Sequence, residues 1–136
     1  MTDRDQTDAF LRGMGTRRAV LGDAHVDRSE ARKSAFDADF QRFITEGAWG
    51  SVWSRPGLSL RERSMITMAL LAALGHDEEL ALHARASANT GASADDIKEA
   101  LMHVAVYAGV PAATKAFRIV KKVLEEPHSE TRGPAE

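Results

Sequence analysis

Leu74-Gly75-His76-Asp77-Glu78-Glu79-Leu80-Ala81-Leu82-His83-Ala84-Arg85 is the stretch whose reading decides the fold. Before it, Met65 to Leu74 is apolar apart from Thr67, and this helical run ends at Gly75, a residue suited to closing a helix. Asp77 is placed as the N-cap of the next helix. Within that helix Glu79 and His83 are four apart and share a face, with His76 in the turn before. A carboxylate beside an imidazole, next to an apolar helix, is the material of an acid/base pair in a dry pocket. It is equally the pattern of a solvated pair at a helix start, helped by the helix dipole. Burial would raise the Glu pKa and lower that of His, whereas mutual pairing would favour both charged forms. Spacing leaves both readings open.

Upstream, Ser59-Leu60-Arg61-Glu62 is a capping box that opens the apolar helix. Because Met65 to Leu74 is apolar on almost every side, that helix is expected at the centre of the fold or against another subunit. Ser64 is a small hydroxyl at its polar start. Phe36, Phe40, Phe43 and Ile44 are spaced as the core stripe of an earlier helix, with Gly47 placed to end it. Trp49 and Trp53 then fall in a glycine-flanked stretch before the Pro56-Gly57 turn. They suit a pocket wall, a subunit contact or plain packing. Residues 4–21 form an amphipathic first helix, and Gly22 to Ser29 reads as a polar connector.

Downstream, Gly91 stops the Glu79/His83 helix and Ser93, with Asp96 three residues on, caps the next. Ile97, Ala100, Leu101, Val104 and Ala108 mark its buried face, and His103 and Tyr107 lie to one side as surface or interface residues. Pro111 suits the first turn of a last helix, whose apolar face is Ala113, Ala116, Phe117, Val120 and Leu124. No stretch alternates with period two. The expected fold is all-α: one domain of about six helices over residues 1–127, with 128–136 as a disordered tail.

Composition narrows the function. A chain of 136 residues, 43% hydrophobic and 28% charged, has the make-up of one globular domain. The net charge of −2 and the lack of a basic stripe speak against a nucleic-acid surface. The longest apolar run is too short to span a bilayer, and the polar residues 1–5 do not look like a signal peptide, so the cytoplasm is expected. There is no cysteine, which removes disulfides, thiolate nucleophiles and thiolate metal sites together.

Several segments, in this order and spacing, carry a resemblance to a known family. They are Arg17-Arg18-Ala19-Val20-Leu21-Gly22-Asp23-Ala24-His25-Val26-Asp27-Arg28-Ser29, Ala48-Trp49-Gly50 with Trp53, Arg55-Pro56-Gly57-Leu58 and Arg63-Ser64. Glu78-Glu79-Leu80 with His83 and Arg85, and Tyr107-Ala108-Gly109-Val110-Pro111-Ala112-Ala113, complete the set. Together they resemble the carboxymuconolactone decarboxylase family, within the alkylhydroperoxidase D-like superfamily. The peroxidase branch of that superfamily carries C-x-x-C-x-x-x-H where this chain has His76, Glu79 and His83, and a glutamate where it has Ser64. With both cysteines missing, thiol peroxidase chemistry has no nucleophile. The decarboxylase branch remains, whose proteins are cofactor-free trimers or hexamers of helical subunits.

The resemblance implies a small dicarboxylate lactone, 4-carboxymuconolactone, as substrate and the enol-lactone of β-ketoadipate as product, in protocatechuate breakdown. The lactone is its own electron sink, so neither metal nor organic cofactor is expected. His83 is then the proton donor, Glu79 its partner and His25 the second imidazole. Arg28, Arg55 and Arg85 are candidates for the carboxylates, Trp49 for an apolar wall, and Ser64 joins the substrate-binding set. Each arginine could instead sit in a surface ion pair. The alternatives are an enzyme acting on a related lactone or β-keto acid, a non-catalytic helical oligomer, and a metal enzyme using His76, Glu79 and His83. The last lacks paired E-x-x-H motifs on facing helices.

Overall fold

Helix ends set the architecture first. In the computed structural model, which describes residues 6–127, seven α-helices and one π-helical segment follow one another, with no strand among the described residues. They are α1 (Asp8–Leu21), α2 (Asp23–Arg32), α3 (Ala38–Ile44), the π segment (Thr45–Trp53), α4 (Leu60–Leu74), α5 (Asp77–Thr90), α6 (Ala94–Tyr107) and α7 (Val110–Leu124). The expected tail at 128–136 lies outside the described residues.

The capping signals are realised. Ser59 and Glu62 form a reciprocal capping box on α4, and Ser93 and Asp96 form one on α6. Gly75 adopts φ 76°, the left-handed turn that ends α4 and lets α5 fold back antiparallel. His76 rather than Asp77 is the N-cap of α5, because Asp77 already belongs to the helix. Asp77, Glu78 and Glu79 together fill its first turn, where negative charge meets the positive end of the dipole.

The apolar faces then assemble two cores that meet at α5. Met68 and Ala72 of α4, Leu80 and Ala84 of α5, Leu101 and Val104 of α6, and Ala116 and Val120 of α7 form the larger one. Burying side chains such as Met68 and Leu101 completely contributes about 1.5–3 kcal/mol each. Val20 and Leu21 of α1, Val26 of α2, Trp49 and Trp53 of the π segment, and Ala86 of α5 form the smaller one.

Several expectations change. The polar connector after Gly22 is in fact helix α2, which buries only Val26 and so shows no apolar stripe. It is held instead by Arg18, bonded to Asp23 at 2.9 Å and Asp27 at 2.8 Å. Gly47 does not end α3, because the chain widens there into the π segment. The side-chain hydroxyls of Ser51 and Ser54 donate to carbonyls five residues back, those of Glu46 and Trp49. Phe36, Phe40 and Phe43 are not core: they are 98%, 59% and 69% exposed, since no other element among the described residues covers them. The count of seven α-helices rather than six follows from α2.

The outer side of α4 is uncovered as well, with Ile66, Leu70 and Leu74 exposed beside Met102 and Val106 of α6. His103 and Tyr107 lie on the surface as expected, their rings stacked 6.2 Å apart.

The tightest approach is between α1 and the π segment. A Cβ at Gly13 would collide with the Thr45 carbonyl and stand 2.7 Å from the Gly50 nitrogen, and one at Gly50 would collide with the Ala9 carbonyl. Both neighbours are backbone and cannot rotate away. Gly13→Ala is therefore expected to destabilise the fold at or above the upper end of the ~1–3 kcal/mol typical of overpacking. Gly15→Ala, where a Cβ meets nothing within 4 Å, should be neutral or slightly stabilising. Urea unfolding of the two variants checks the contrast.

Candidate active site

The meeting of the two cores places His83 of α5 against the indoles of the π segment. Trp49 and Trp53, four apart on one face, stack with centroids 5.0 Å apart. The His83 ring lies 6.4 Å from Trp49 and 6.0 Å from Trp53, nearly parallel to both. It is 9% exposed, and its Nδ1 is shut away from solvent without a hydrogen-bond partner. An orphaned buried imidazole nitrogen is uncommon and marks a site that a ligand could complete.

Burial is the main influence on this ring and lowers its pKa to about 4; the Glu79 charge works the other way, and His25 adds to the lowering. Stacking on indole faces would favour the cation by about 0.5–2 kcal/mol. A fall from the ordinary value of 6.5 to about 4 corresponds to roughly 3 kcal/mol, so the ring stays neutral at pH 7.

His25 and Glu79 both lie within electrostatic reach of His83. His25, half-buried on α2, also has a lowered pKa, first through burial and then through the charges of Arg17, Arg28 and Arg32. Glu79 is exposed one turn before His83 and makes no hydrogen bond to Nδ1. Trp49 lies beside the His83 ring, where an apolar wall was expected. Ser64 on α4 is fully buried, its Oγ without a partner.

The arginines separate. Arg28 stands exposed on α2, near enough to His25 to lower its pKa. Arg55 is exposed after the π segment, its carbonyl accepting a bond from Arg63 Nη2 at 3.0 Å. Arg85 forms a two-pronged ion pair with Glu126, both bonds 3.0 Å, and so ties α5 to the end of α7. That is the ion-pair alternative for this residue.

Trp53, read together with Trp49 in the sequence, stacks as closely on His83 as Trp49 does. One buried cation near His25 was not singled out by spacing. Arg17 is 4% exposed, with its hydroxyl, amide and carboxylate neighbours at 3.3–3.9 Å; burial lowers its pKa and Glu30 raises it. Among the described residues no three His, Cys, Asp or Glu side chains come together as a metal site requires.

A neutral buried imidazole makes stability depend on pH. The folded pKa lies below the unfolded one, so between them the unfolded chain binds more protons and stability falls as pH drops from 6.5 towards 4. Between pH 7 and pH 5 His83 should cost the fold about 2 kcal/mol, a loss that His83→Gln should largely remove. Urea midpoints at the two pH values, compared between the proteins, check this.

With the geometry in place, the relatives can be set beside it. Residues 38–122 match the Carboxymuconolactone decarboxylase family. The chain is 44% identical over 117 residues to the 4-carboxymuconolactone decarboxylase of Acinetobacter baylyi, covering 86% of this chain and 87% of that protein. It is 37% identical over 117 residues to a nitrosuccinic acid decarboxylase of Metarhizium robertsii, covering 86% and 82%. A 4-carboxymuconolactone decarboxylase sequence of Pseudomonas putida is 48% identical over 46 residues, 34% of this chain and 96% of that one. The stacked Trp49, Trp53 and neutral His83 thus lie within a protein that belongs to the carboxymuconolactone decarboxylase family.

Proposed function

We propose that the protein is a cofactor-free decarboxylase converting 4-carboxymuconolactone into the enol-lactone of β-ketoadipate, acting in the cytoplasm. The observation that carries this reading is the 44% identity to a decarboxylase of that name across most of both chains. The dry ring stack around His83 gives it a chemical basis.

The γ-carboxylate of the lactone leaves as carbon dioxide. Its bonding electrons move through the ring double bond to the lactone carbonyl, and the furanolate so formed takes one proton at the α carbon. The protein must hold the substrate, stabilise the developing oxyanion and supply that proton. His83 supplies it. In the free protein the ring is neutral, but two substrate carboxylates brought beside it oppose the effect of burial and raise its pKa. Binding should therefore take up a proton from solvent. His25 faces the lactone carbonyl or a carboxylate, and Glu79 supports the cationic form of His83 through its charge. Trp49 supplies a dry wall and Ser64 a spare hydroxyl. Arg28 and Arg55, both exposed, are the candidates to reach a carboxylate, whereas Arg85 would first have to leave Glu126.

His83→Ala is expected to lower kcat by about 10²–10⁴-fold with little change in KM. Lactone consumption followed spectrophotometrically reads this out. Near-normal turnover by a folded variant would move the proton-donor role to His25 or water. Calorimetric titrations of a non-reacting lactone in buffers of different ionisation enthalpy should show proton uptake that His83→Ala abolishes.

The Metarhizium relative favours a second reading, an enzyme for a related acid. Nitrosuccinic acid is also a dicarboxylate, and its nitro group, like a conjugated lactone, accepts an electron pair from the carbon that loses carbon dioxide. Comparing kcat/KM for the two substrates separates the readings.

We further infer a homo-oligomer, a trimer or a hexamer. Ile66, Leu70, Leu74, Met102 and Val106 form an apolar face that is exposed among the described residues of the single subunit. Light scattering at micromolar concentration should report the oligomer, and Leu70→Glu should shift it towards monomer.

A further inference from the structure

A second concave feature borders the ring stack. Between the end of the π segment and the outer side of α4 lies a pocket of about 150 Å³, lined by Val52, Trp53, Arg63, Ile66, Thr67 and Leu70. Its lining is otherwise apolar or hydroxyl-bearing, and Arg63 is the single charge. The Nε of Arg63 is closed off from solvent and has no hydrogen-bond partner. Its Nη2 donates to the Arg55 carbonyl at 3.0 Å, a neutral acceptor.

Other half-buried or buried arginines contrast with it. Arg17, Arg18 and Arg85 each have a carboxylate within 4 Å, and Arg63 has none among the described residues. Its neighbour Glu62, whose carboxylate gains from the Arg63 charge, is taken up by the capping box with Ser59. A guanidinium in an apolar recess without a counter-charge is unfavourable in the free protein, and a bound anion offsets that cost.

The pocket touches the site through Trp53, which is both a pocket wall and a member of the stack on His83. We infer that Arg63 binds a carboxylate of the substrate in the pocket beside Trp53, and that this is the carboxylate the reaction retains. The inference rests on the decarboxylase reading for the identity of the substrate. The choice between the two carboxylates follows from the chemistry. A guanidinium clamped on the departing carboxylate would stabilise its charge and hinder formation of neutral carbon dioxide. Held on the retained carboxymethyl arm, it contributes equally to ground and transition states and anchors the ring beside His83.

The test uses the full chain and its own fluorophores. The protein has two tryptophans, Trp49 and Trp53, so indole emission reports this region alone. The probe is the saturated lactone dicarboxylate, which lacks the ring double bond and cannot decarboxylate by this route. Arg63→Gln should weaken its binding by about 10- to 100-fold, the scale of a lost charge-assisted bond, and raise KM with kcat within a few-fold. Arg63→Lys should recover part of the loss. Esterifying the carboxymethyl arm should weaken binding to the unaltered protein by a similar factor and add little in Arg63→Gln.

Equal binding of diacid and monoester by the unaltered protein would overturn the inference, whether or not a variant folds. So would unchanged diacid affinity in a folded Arg63→Gln; if that variant also dissociated, Arg63 would belong to a subunit contact. Arg63-dependent binding without turnover of the lactone would leave this site standing and sink the decarboxylase reading.

Discussion

The site depends on a backbone contact that no functional group makes. Where α1 crosses the π segment, Gly13 and Gly50 let two main chains approach within the space a single methyl group would fill. That closeness presses the π segment inward, and its Trp49 and Trp53 reach over α5 to cover His83. A wider crossing would admit water beside the imidazole. The low-dielectric surroundings that keep His83 neutral would go with it, because desolvation is the largest influence on that ring. Packing at one end of α1 thus sets the electrostatics at the middle of α5.

Charge is distributed around this dry centre in an ordered way. Arg17, Arg18 and the acids of α2 knit the first helices together, and Arg61 with Asp96 and Arg85 with Glu126 brace the later ones. Exposed pairs of this kind contribute little stability individually, typically below ~1 kcal/mol. Their effect here is on which cations remain unengaged. Each arginine with an acidic partner is removed from competition for an anionic substrate. A cation without one, close to the ring stack, stays available to it.

The sequence made helix boundaries legible wherever a local rule decided them. Ser59 with Glu62, Ser93 with Asp96, and Gly75 and Gly91 act over a few residues, so their patterns survive any tertiary context. That Glu79 and His83 share a helix face was legible for the same reason, since four-residue spacing is a local property. The misreadings came from partners distant in sequence. Helix α2 is held by ion pairs to α1 rather than by an apolar stripe, and Phe36, Phe40 and Phe43 form a stripe that stays exposed among the described residues. Periodicity reveals a face and not what covers it. Arg63 was invisible as a site residue because its distinction is that no carboxylate among the described residues pairs with it, which only the folded chain discloses.

The π segment places its own kind of limit on how such a chain can vary. An i→i+5 stretch accommodates a residue more than the α-helical path it replaces. Removing one residue between Thr45 and Trp53 would let α3 continue with ordinary α-helical bonding. The wide turns that set both indoles at their present spacing would be lost. Trp53 would swing off His83 although every side chain named in the site was still present. In this stretch the count of residues is constrained more strictly than their identity, and homologous chains should tolerate exchange there far better than a gap.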